Sequence, residues 1–224
     1  MQKGVLQRSL VKMICENMST KKLKMVMKLM TLTDFMKTHD GQQTSFARIG
    51  TLGPSGTSSE YAASLFSFHY LANQGIRSEL LLYDTFEQCM EKLEAGLLDY
   101  VIVPHAYGGI NDFYMRKNIS LIQLFRCDTP LYGLAVRQDF EFHPSMLASE
   151  PVVSHPAPIN LLKYFLGTSA HIETVTSTSV AARLVAEGVY NIALTNQIAM
   201  QQHGLNFACE FKAIPMSWSV FKSI

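Results

Sequence analysis

The order of apolar and polar positions from Arg48 onward predicts strands and helices that alternate along the chain. Short apolar runs at 48–52 and 99–104 are typical of buried strands, whereas 58–75 and 85–96 have the apolar spacing of helices and end on glycine. Further strands and helices are predicted at 80–83, 121–125, 130–136, 152–153, 160–166, 172–175, 180–188, 192–194 and 197–203. This alternation predicts the α/β fold class.

The second half of the chain repeats the strand and helix order of the first half, which predicts two small α/β lobes with a ligand cleft between them. We expect the first lobe to comprise residues 46–127 and 199–224, and the second lobe residues 128–198. The chain is expected to pass between the lobes at the strand that ends in Arg137 and again near Asn196.

Residues 1–45 differ in composition, being rich in methionine and lysine, and we interpret them as a basic N-terminal extension without catalytic residues. Lys24 and Lys28 interrupt its longest apolar stretch, which is therefore too short and too charged for a membrane span or a signal peptide. Two interpretations stay open. The segment is either an amphipathic helix that docks on the body or on a partner, or a leader read from an early start codon.

Three turns that carry hydroxyl groups each follow a predicted strand and precede a predicted helix. In chain order they contain Thr57 and Ser58, then Ser154 and His155, then Ser177, Thr178 and Ser179. Such turns bind anions through unpaired backbone N–H groups at the positive end of the helix dipole, and in an open α/β sheet they lie at the carboxyl ends of the strands. Three ordinary N-caps are the alternative interpretation. Three helix starts directed at one cleft would suit a small molecule with two negative charges.

The composition limits the partners and the compartment. The chain has 224 residues, 48% of them apolar, and a formal net charge of +1, which gives no reason to expect nucleic acid or a membrane as partner. Its four cysteines stand singly, without a CxxC pair or a metal-ligand spacing to histidine. That usage is typical of reduced thiols and favours a cytoplasmic location and no metal site.

The three turns lie within longer motifs that resemble those of prephenate dehydratases. The motifs are Gly53-Pro54-x-Gly56-Thr57-x-Ser59-Glu60-x-Ala62-Ala63, Ser154-His155-Pro156 and Ser177-Thr178-x-x-Ala181-Ala182. The likeness runs from about Arg48 to the C-terminus. It implies two lobes of the periplasmic-binding-protein type II kind, with prephenate bound between them.

Two departures separate the chain from the dehydratases. Those enzymes carry Glu-Asn-Ser where this chain has His105-Ala106-Tyr107, and they end on Asn-x-Thr-Arg-Phe where it has Ser219 and Val220 for the Thr and the Arg. Both departures are shared by the non-aromatising prephenate decarboxylases of bacilysin (anticapsin) and aeruginosin-type biosynthesis. Five blocks closely resemble that group, at 57–61, 104–107, 126–137, 154–161 and 214–219.

The resemblance implies a lyase that removes carbon dioxide from prephenate and retains the C4 hydroxyl, giving a dihydro-4-hydroxyphenylpyruvate for natural-product biosynthesis. Val220 in place of the Arg removes a charged group that would help the hydroxyl to leave. No cofactor is implied, since the diene of the substrate itself takes up the electrons. A dehydratase that makes phenylpyruvate and a non-catalytic small-acid binding module are the alternatives. A homodimer is an expectation from the family alone.

The expected site residues follow from the turns and from the resemblance. His105 is the candidate for proton delivery or C4-hydroxyl recognition because an imidazole titrates near neutrality. Tyr107 is expected to line the cleft and Ser219 to contact the hydroxyl, whereas Glu60 is interpreted as a capping partner rather than a catalytic acid. The substrate-binding residues are expected to be Thr57, Ser58, Arg126, Thr129, Arg137, Ser154, His155, Ser177, Thr178 and Ser179.

Overall fold

The computed structural model describes residues 45–167 and 170–224, and every structural statement below refers to those residues. The predicted N-terminal extension lies outside them, apart from Ser45. Within this part of the chain, no helix is both long enough and apolar enough to cross a membrane. The described residues are built on two separate five-stranded sheets.

The first sheet forms the first lobe. Its strands are β1 (Phe46–Leu52), β2 (Arg77–Tyr83), β3 (Tyr100–Pro104), β4 (Ile119–Arg126) and β10 (Ser217–Ser223), in the order β2-β1-β3-β10-β4. The strands β1, β2 and β3 run parallel, and β10 is antiparallel to β3 and β4. The carboxyl ends of β1, β2 and β3 therefore lie along one edge of this lobe.

Helices cover both faces of the first sheet, because successive side chains of a strand point to opposite faces. Ile102 of β3 packs with α1 (Ser58–Phe66), whereas its neighbours Val101 and Val103 pack with α2 (Phe86–Glu94) and α3 (Ile110–Met115). The helix predicted at 58–75 consists of three consecutive pieces. These are α1, a π-helical turn at Ser67–Leu71 and a 3-10 turn at Ala72–Gln74, which Gly75 closes with φ of +74°.

The second sheet forms the second lobe. Its strands are β5 (Tyr132–Val136), β6 (Val152–Ser154), β7 (Ile172–Thr174), β8 (Ile192–Asn196) and β9 (Asn206–Glu210), in the order β7-β6-β8-β5-β9. Its helices are α4 (Asn160–Leu166), α5 (Thr178–Ala186) and α6 (Gln197–Gln202), with a 3-10 turn at Pro144–Ala148. The parallel strands β6, β7 and β8 again bring their carboxyl ends to one edge. The predicted α/β class with two lobes is confirmed.

Two features of the chain path differ from the prediction. The chain passes between the sheets at 127–131 and 211–216. These two segments are joined by two hydrogen bonds, since the Thr129 N–H donates to the Ile214 carbonyl and the Ile214 N–H donates to the Thr129 hydroxyl. Asn196 is instead the end of β8, and residues 199–210 belong with the second sheet because β9 pairs with β5. Neither β9 nor β10 was predicted. Alternate residues of β9 are exposed, so it lacks the continuous apolar run of a central strand.

Candidate active site

The turn before α1 is held in shape by its own side chains. Thr57 is the N-cap, and its hydroxyl accepts a hydrogen bond from the Glu60 N–H at 3.2 Å and donates one to the Leu52 carbonyl at 2.9 Å. The Glu60 carboxylate accepts hydrogen bonds from the Gly56 N–H at 2.7 Å and from the Ser55 hydroxyl. The side chains of Thr57 and Glu60 therefore form hydrogen bonds with the backbone of the turn, which agrees with the interpretation of Glu60 as a capping partner.

The turn before α5 is capped in the same way. Ser177 is the N-cap, and its hydroxyl accepts the Val180 N–H at 3.0 Å. Thr178 and Ser179 follow in the first turn of the helix, and all three side chains are buried. This arrangement agrees with the prediction for the third turn.

The first of these turns and the start of α1 are joined to the second lobe by three hydrogen bonds, one of them from the start of α5. The Ser179 hydroxyl donates to the Ser55 carbonyl at 2.6 Å, and Asn196 Nδ2 donates to the Gly56 carbonyl at 2.9 Å. The Ser58 hydroxyl and the Tyr132 phenol lie 3.1 Å apart. The start of α1 therefore touches the second lobe at the start of α5, at the end of β8 and at the start of β5.

Gly56 is required for this close approach. Its φ is +91°, and a Cβ at this position would lie 2.8 Å from Gln202 Oε1 and 3.0 Å from Ser179 Oγ. A side chain would strain the backbone and press on Ser179 Oγ, whereas the exposed end of Gln202 can move aside. Glycine thus lets the first turn come within hydrogen-bond distance of α5 and α6.

The starts of α1 and α5 offer two sets of N–H groups. The first N–H groups of a helix have no acceptor within the helix, and the N-cap oxygens here take those of Glu60 and Val180. The N–H groups of the first two residues of each helix have no intrahelical acceptor. Since the helix dipole places partial positive charge at the same ends, each lobe presents one site suited to an anion.

Tyr132 lies between these two helix starts. Burial raises the pKa of its phenol, and hydrogen bonds with Ser58 and Thr178 partly oppose that rise. Asn196 completes the cluster, because its Nδ2 also donates to the Thr178 hydroxyl at 3.3 Å while its Oδ1 accepts the N–H groups of Ile198 and Ala199. Every hydrogen-bonding atom of the Asn196 amide is thus engaged, which fixes its orientation.

The second turn differs from the prediction at Ser154. The helix α4 begins six residues later, and its N-cap Ile159 supplies no side-chain cap. The fully buried Ser154 hydroxyl lies within hydrogen-bond distance of the carbonyls of His155 and Leu194. His155 Nδ1 accepts the Ala157 N–H at 3.1 Å, so the neutral ring carries its proton on Nε2. Burial lowers the pKa of His155, which favours that neutral form. His155 therefore offers an N–H donor, whereas the Ser154 hydroxyl contacts backbone carbonyls, including that of Leu194 in β8.

His105 follows the end of β3 and contacts Ser219 of β10. His105 Nδ1 lies 3.0 Å from Ser219 Oγ, and Ser219 is fully buried whereas His105 is exposed. Among the described residues, His105 Nδ1 is the hydrogen-bond partner of this hydroxyl, and a buried hydroxyl hydrogen needs an acceptor. Ser219 therefore donates to Nδ1, and the neutral imidazole carries its proton on Nε2. The Ser219 side chain is covered in this structure, and its contact with substrate stays a prediction.

Tyr107 lies in the same loop but turns toward α2. Its ring packs on Phe86 with centroids 4.7 Å apart, and its phenol donates to the Glu87 carboxylate. Burial, followed by the hydrogen bond to Glu87, raises the pKa of Tyr107 to about 12, and the same bond lowers the pKa of Glu87. The phenol therefore stays protonated at neutral pH.

No protein-family model matches the chain, but individual known proteins are similar to it in sequence. A prephenate decarboxylase of Bacillus subtilis (strain 168) is 57% identical over 173 residues, which cover 77% of this chain and 85% of that protein. A prephenate decarboxylase of Planktothrix agardhii (strain NIVA-CYA 126/8) is 40% identical over 178 residues, with coverage of 77% and 86%.

The chain belongs to the prephenate decarboxylase family.

Solved structures at lower identity agree with this fold. A prephenate dehydratase from Arthrobacter aurescens superimposes with a TM-score of 0.56 at 17% identity, covering 79% of this chain and 60% of the dehydratase. The effector domain of the transcriptional regulator AmpR of Pseudomonas aeruginosa gives a TM-score of 0.51 at 13% identity. The prephenate decarboxylase family member described here therefore has the two-lobed fold shared by these proteins.

Three predicted binding residues of this prephenate decarboxylase family member have other partners in the structure. Arg137 Nη1 donates to the carbonyls of Val185 and Tyr190, its Nη2 donates to Asn191, and its Nε pairs with Asp139, at the opposite end of β5 from Tyr132. Thr129 accepts the Ile214 N–H where the chain passes between lobes. Arg126 is 75% exposed and pairs with Asp128 at 3.6 Å. The Arg137 guanidinium therefore binds groups near the C-terminal end of α5.

Two residues of the candidate site were missed by the sequence reasoning, Tyr132 and Asn196. Asn196 had a local signal, since an Asn between a buried strand and an apolar helix is a typical N-cap. Tyr132 had none, because its partner Ser58 is 74 residues away in the sequence. Tyr132 lies within the block 126–137 that resembles prephenate decarboxylases, whereas Asn196 lies outside all five blocks.

Proposed function

We propose that this protein decarboxylates prephenate without aromatising the ring and releases a dihydro-4-hydroxyphenylpyruvate that keeps the C4 hydroxyl. The observation that carries the proposal is the meeting of two capped helix starts across the lobes, next to the 3.1 Å contact of Ser58 with Tyr132, in a chain of this family. Prephenate carries two carboxylates, and the two helix starts offer one anion site in each lobe.

The decarboxylation requires little covalent catalysis by the protein. The bond between the ring and its carboxylate breaks, carbon dioxide leaves, the electron pair enters the diene, and a ring carbon takes up a proton. In a dehydratase the same electron pair expels the hydroxyl, which needs a proton donor at that oxygen. The buried apolar Val220 supplies no such donor, which supports retention of the hydroxyl. The protein orients the dianion and partly removes water from the ring carboxylate.

The carboxylates are assigned to the two helix starts. Ser58 and the first N–H groups of α1 would hold one carboxylate, and Thr178 with the first N–H groups of α5 the other. His155 would add its Nε2–H from the turn after β6. Tyr132 would keep the two helix starts at a fixed separation, since its phenol touches both.

His105 is the proposed residue at the ring. Its Nδ1 is held by Ser219, so Nε2 is the ring atom left to meet a substrate. The neutral ring donates a hydrogen bond from that atom to the C4 hydroxyl. The alternative role, delivery of the Nε2 proton to the ring carbon, requires the imidazolium form, which returns to the neutral ring when the proton leaves. His105→Gln keeps a neutral donor but delivers no proton. Retained turnover in that variant would support recognition of the hydroxyl, and loss of turnover with unchanged KM would support proton delivery.

The proposal is tested by incubating the purified protein with prephenate and analysing the product by mass spectrometry and proton NMR. Loss of carbon dioxide alone, with olefinic ring protons, is the expected result. Loss of carbon dioxide and water, with an aromatic spectrum, would show a dehydratase. Saturable binding without consumption would show a binding module, and either of these two results would overturn the proposal.

We further propose that the product serves natural-product biosynthesis of the bacilysin or aeruginosin kind in the cytoplasm. The sequence blocks at 126–137 and 214–219 support the pathway. The free thiols of Cys89, Cys127 and Cys209 support a reducing compartment. Accumulation of the dihydro-4-hydroxyphenylpyruvate in a producing cell, and its loss on deletion of the gene, would test this assignment.

A further inference from the structure

A groove on the first lobe is lined by none of the residues that the proposed reaction uses. It has a volume of about 330 Å³ and lies between α1, the π-helical turn and the end of β4. Its apolar wall contains Tyr61, Leu65, Tyr70 and Phe125. The volume is at the lower end of the range for small-molecule sites, which suits a ligand of about the size of an amino acid.

The wall of the groove is an ordered aromatic cluster. Tyr70 stacks on Phe66 with centroids 5.3 Å apart, and Phe125 lies 5.8 Å from Phe66 and 5.9 Å from Tyr70. Tyr70 and His69 belong to the π-helical turn Ser67–Leu71, and both line the groove. A π-helical turn is rare and is found often at functional sites, so its position in this wall is a second, independent feature of the groove.

The mouth of the groove carries one charge of each sign. Arg126 Nε lies 3.6 Å from Asp128 Oδ1, and their side chains are 75% and 50% exposed. Asp128 lines the same groove as Tyr61. Burial raises the pKa of the Tyr61 phenol, and the nearby Cys127 thiol and Asp128 carboxylate raise it further. An exposed pair of this kind adds little stability, and both ions stay accessible to a ligand.

We propose that this groove binds an α-amino acid with an aromatic or similar cyclic side chain. The ring would pack on Tyr61, Tyr70 and Phe125, the α-carboxylate would meet the Arg126 guanidinium, and the α-ammonium would meet Asp128. The paired charges select a zwitterion over a simple acid or a simple amine, since either of those leaves one charge of the pair unmatched. This site is independent of the proposed decarboxylation.

The position of the groove provides its own reporter. Trp218 is the single tryptophan of the chain, and its indole Nε1 donates to the Cys127 carbonyl at 3.0 Å. Cys127 lies between Arg126 and Asp128, at the start of the segment that leads to the second lobe. A ligand that moves these residues will change the environment of the indole and therefore its fluorescence.

The test is titration of L-phenylalanine into the full chain without prephenate, followed by calorimetry and by Trp218 fluorescence. We expect saturable binding, and binding that is at least about tenfold weaker for 3-phenylpropionate, which lacks the ammonium, and for phenethylamine, which lacks the carboxylate. Arg126→Gln and Asp128→Asn should each weaken binding of L-phenylalanine about tenfold. Arg183→Gln, which removes one partner of an exposed ion pair on α5, is the matched control and should keep the original affinity.

Three results would overturn the proposal. The first is no saturable heat or fluorescence change up to about 10 mM ligand, a concentration that detects even millimolar affinity. The second is equal affinity of the original chain and the two groove variants. The third is competition by prephenate, which would place the ligand at the helix starts instead. Prephenate turnover is measured in a separate assay, so failure of the proposed reaction is distinguished from failure of this site.

Discussion

Ser219 and His105 are 114 residues apart in the sequence, and Ser219 Oγ lies 3.0 Å from His105 Nδ1. The serine is fully buried in β10, and the histidine is exposed after β3. Because β10 pairs with β3, the backbone holds the two residues together, with the His105 N–H donating to the Ser217 carbonyl at 2.9 Å. Ser219 is therefore a residue that positions His105 from beneath.

Ser219→Ala should change the tautomer of His105. Without the hydroxyl, Nδ1 loses its donor, and both neutral tautomers become populated. Imidazole ¹⁵N chemical shifts would report this change, and turnover of prephenate should fall by about tenfold because orientation of the ring is lost. Ser219→Thr retains the hydroxyl and is the matched control. Unchanged ¹⁵N shifts in Ser219→Ala would contradict the assigned hydrogen bond.

Gly56→Ala should destabilise the protein more than Gly75→Ala. Both glycines have positive φ, which costs alanine about 1 kcal/mol at either position. A Cβ at Gly75 meets nothing within 4 Å, whereas one at Gly56 lies 3.0 Å from Ser179 Oγ, so crowding adds about 1 kcal/mol there. Urea denaturation of the two variants measures the difference. Equal free energies of unfolding would mean that the turn is not pressed against the second lobe.

Tyr132→Phe should weaken the junction between the helix starts. The variant loses the hydroxyl that contacts Ser58 and Thr178, which should lower the free energy of unfolding by about 1–2 kcal/mol. If the carboxylates bind at those helix starts, KM for prephenate should rise more than kcat falls. Steady-state kinetics with prephenate provide the check. A fall in kcat alone would instead indicate that the phenol acts on the reacting ring.

Stability should fall with pH below the ordinary pKa of histidine, about 6.5. Burial lowers the pKa of His155, and burial together with Arg183 lowers that of His203, so the unfolded chain binds more protons than the folded chain in this range. By linkage, the contribution of both groups is present above pH 6.5 and is lost as pH falls through their folded pKa values. Urea midpoints measured from pH 7.5 to about 5 should show a smaller fall in His155→Gln. An equal fall in that variant would contradict the lowered pKa of His155.

Arg137→Met should lower stability rather than substrate affinity. The guanidinium bonds two carbonyls near the end of α5 and the Asn191 side chain, and its removal should cost about 2 kcal/mol. Arg183→Met removes an exposed i,i+4 pair on the same helix and should cost less than about 0.5 kcal/mol. Thermal melts compare the two variants. A higher KM for prephenate at unchanged melting temperature would show that Arg137 binds substrate directly.

The sequence predicted those parts of the site that depend on neighbouring residues. Thr57, Thr85 and Ser177 are N-caps because each accepts an N–H three residues ahead, a contact that the local spacing determines. Ser154 carried the same pattern but lies within hydrogen-bond distance of the Leu194 carbonyl, 40 residues away. The buried Ser154 hydroxyl lies next to β8, and its contact with that strand cannot be deduced from the spacing of neighbouring residues.

The arginines and the junction of the lobes could not be predicted for the same reason. The partners of Arg137 lie about fifty residues further along the chain, and the Asn196 amide bonds a carbonyl 140 residues before it. Charge alone suggested that Arg126 and Arg137 would meet a carboxylate. In the structure Arg126 pairs with Asp128, and Arg137 with Asp139 and with groups near the end of α5, contacts that no local pattern of residues indicates.

The place of β10 in the first sheet has a consequence for synthesis on the ribosome. This strand lies between β3 and β4, yet it follows the whole of the second lobe in the sequence. The sheet of the second lobe is continuous from Tyr132 to Glu210 and has all its strands before β10 emerges. A nascent chain can therefore complete its second lobe first, while β3 and β4 each keep the edge that β10 will cover unpaired. Unpaired strand edges promote association with other chains, so the interval before β10 emerges is the stage at which aggregation is favoured.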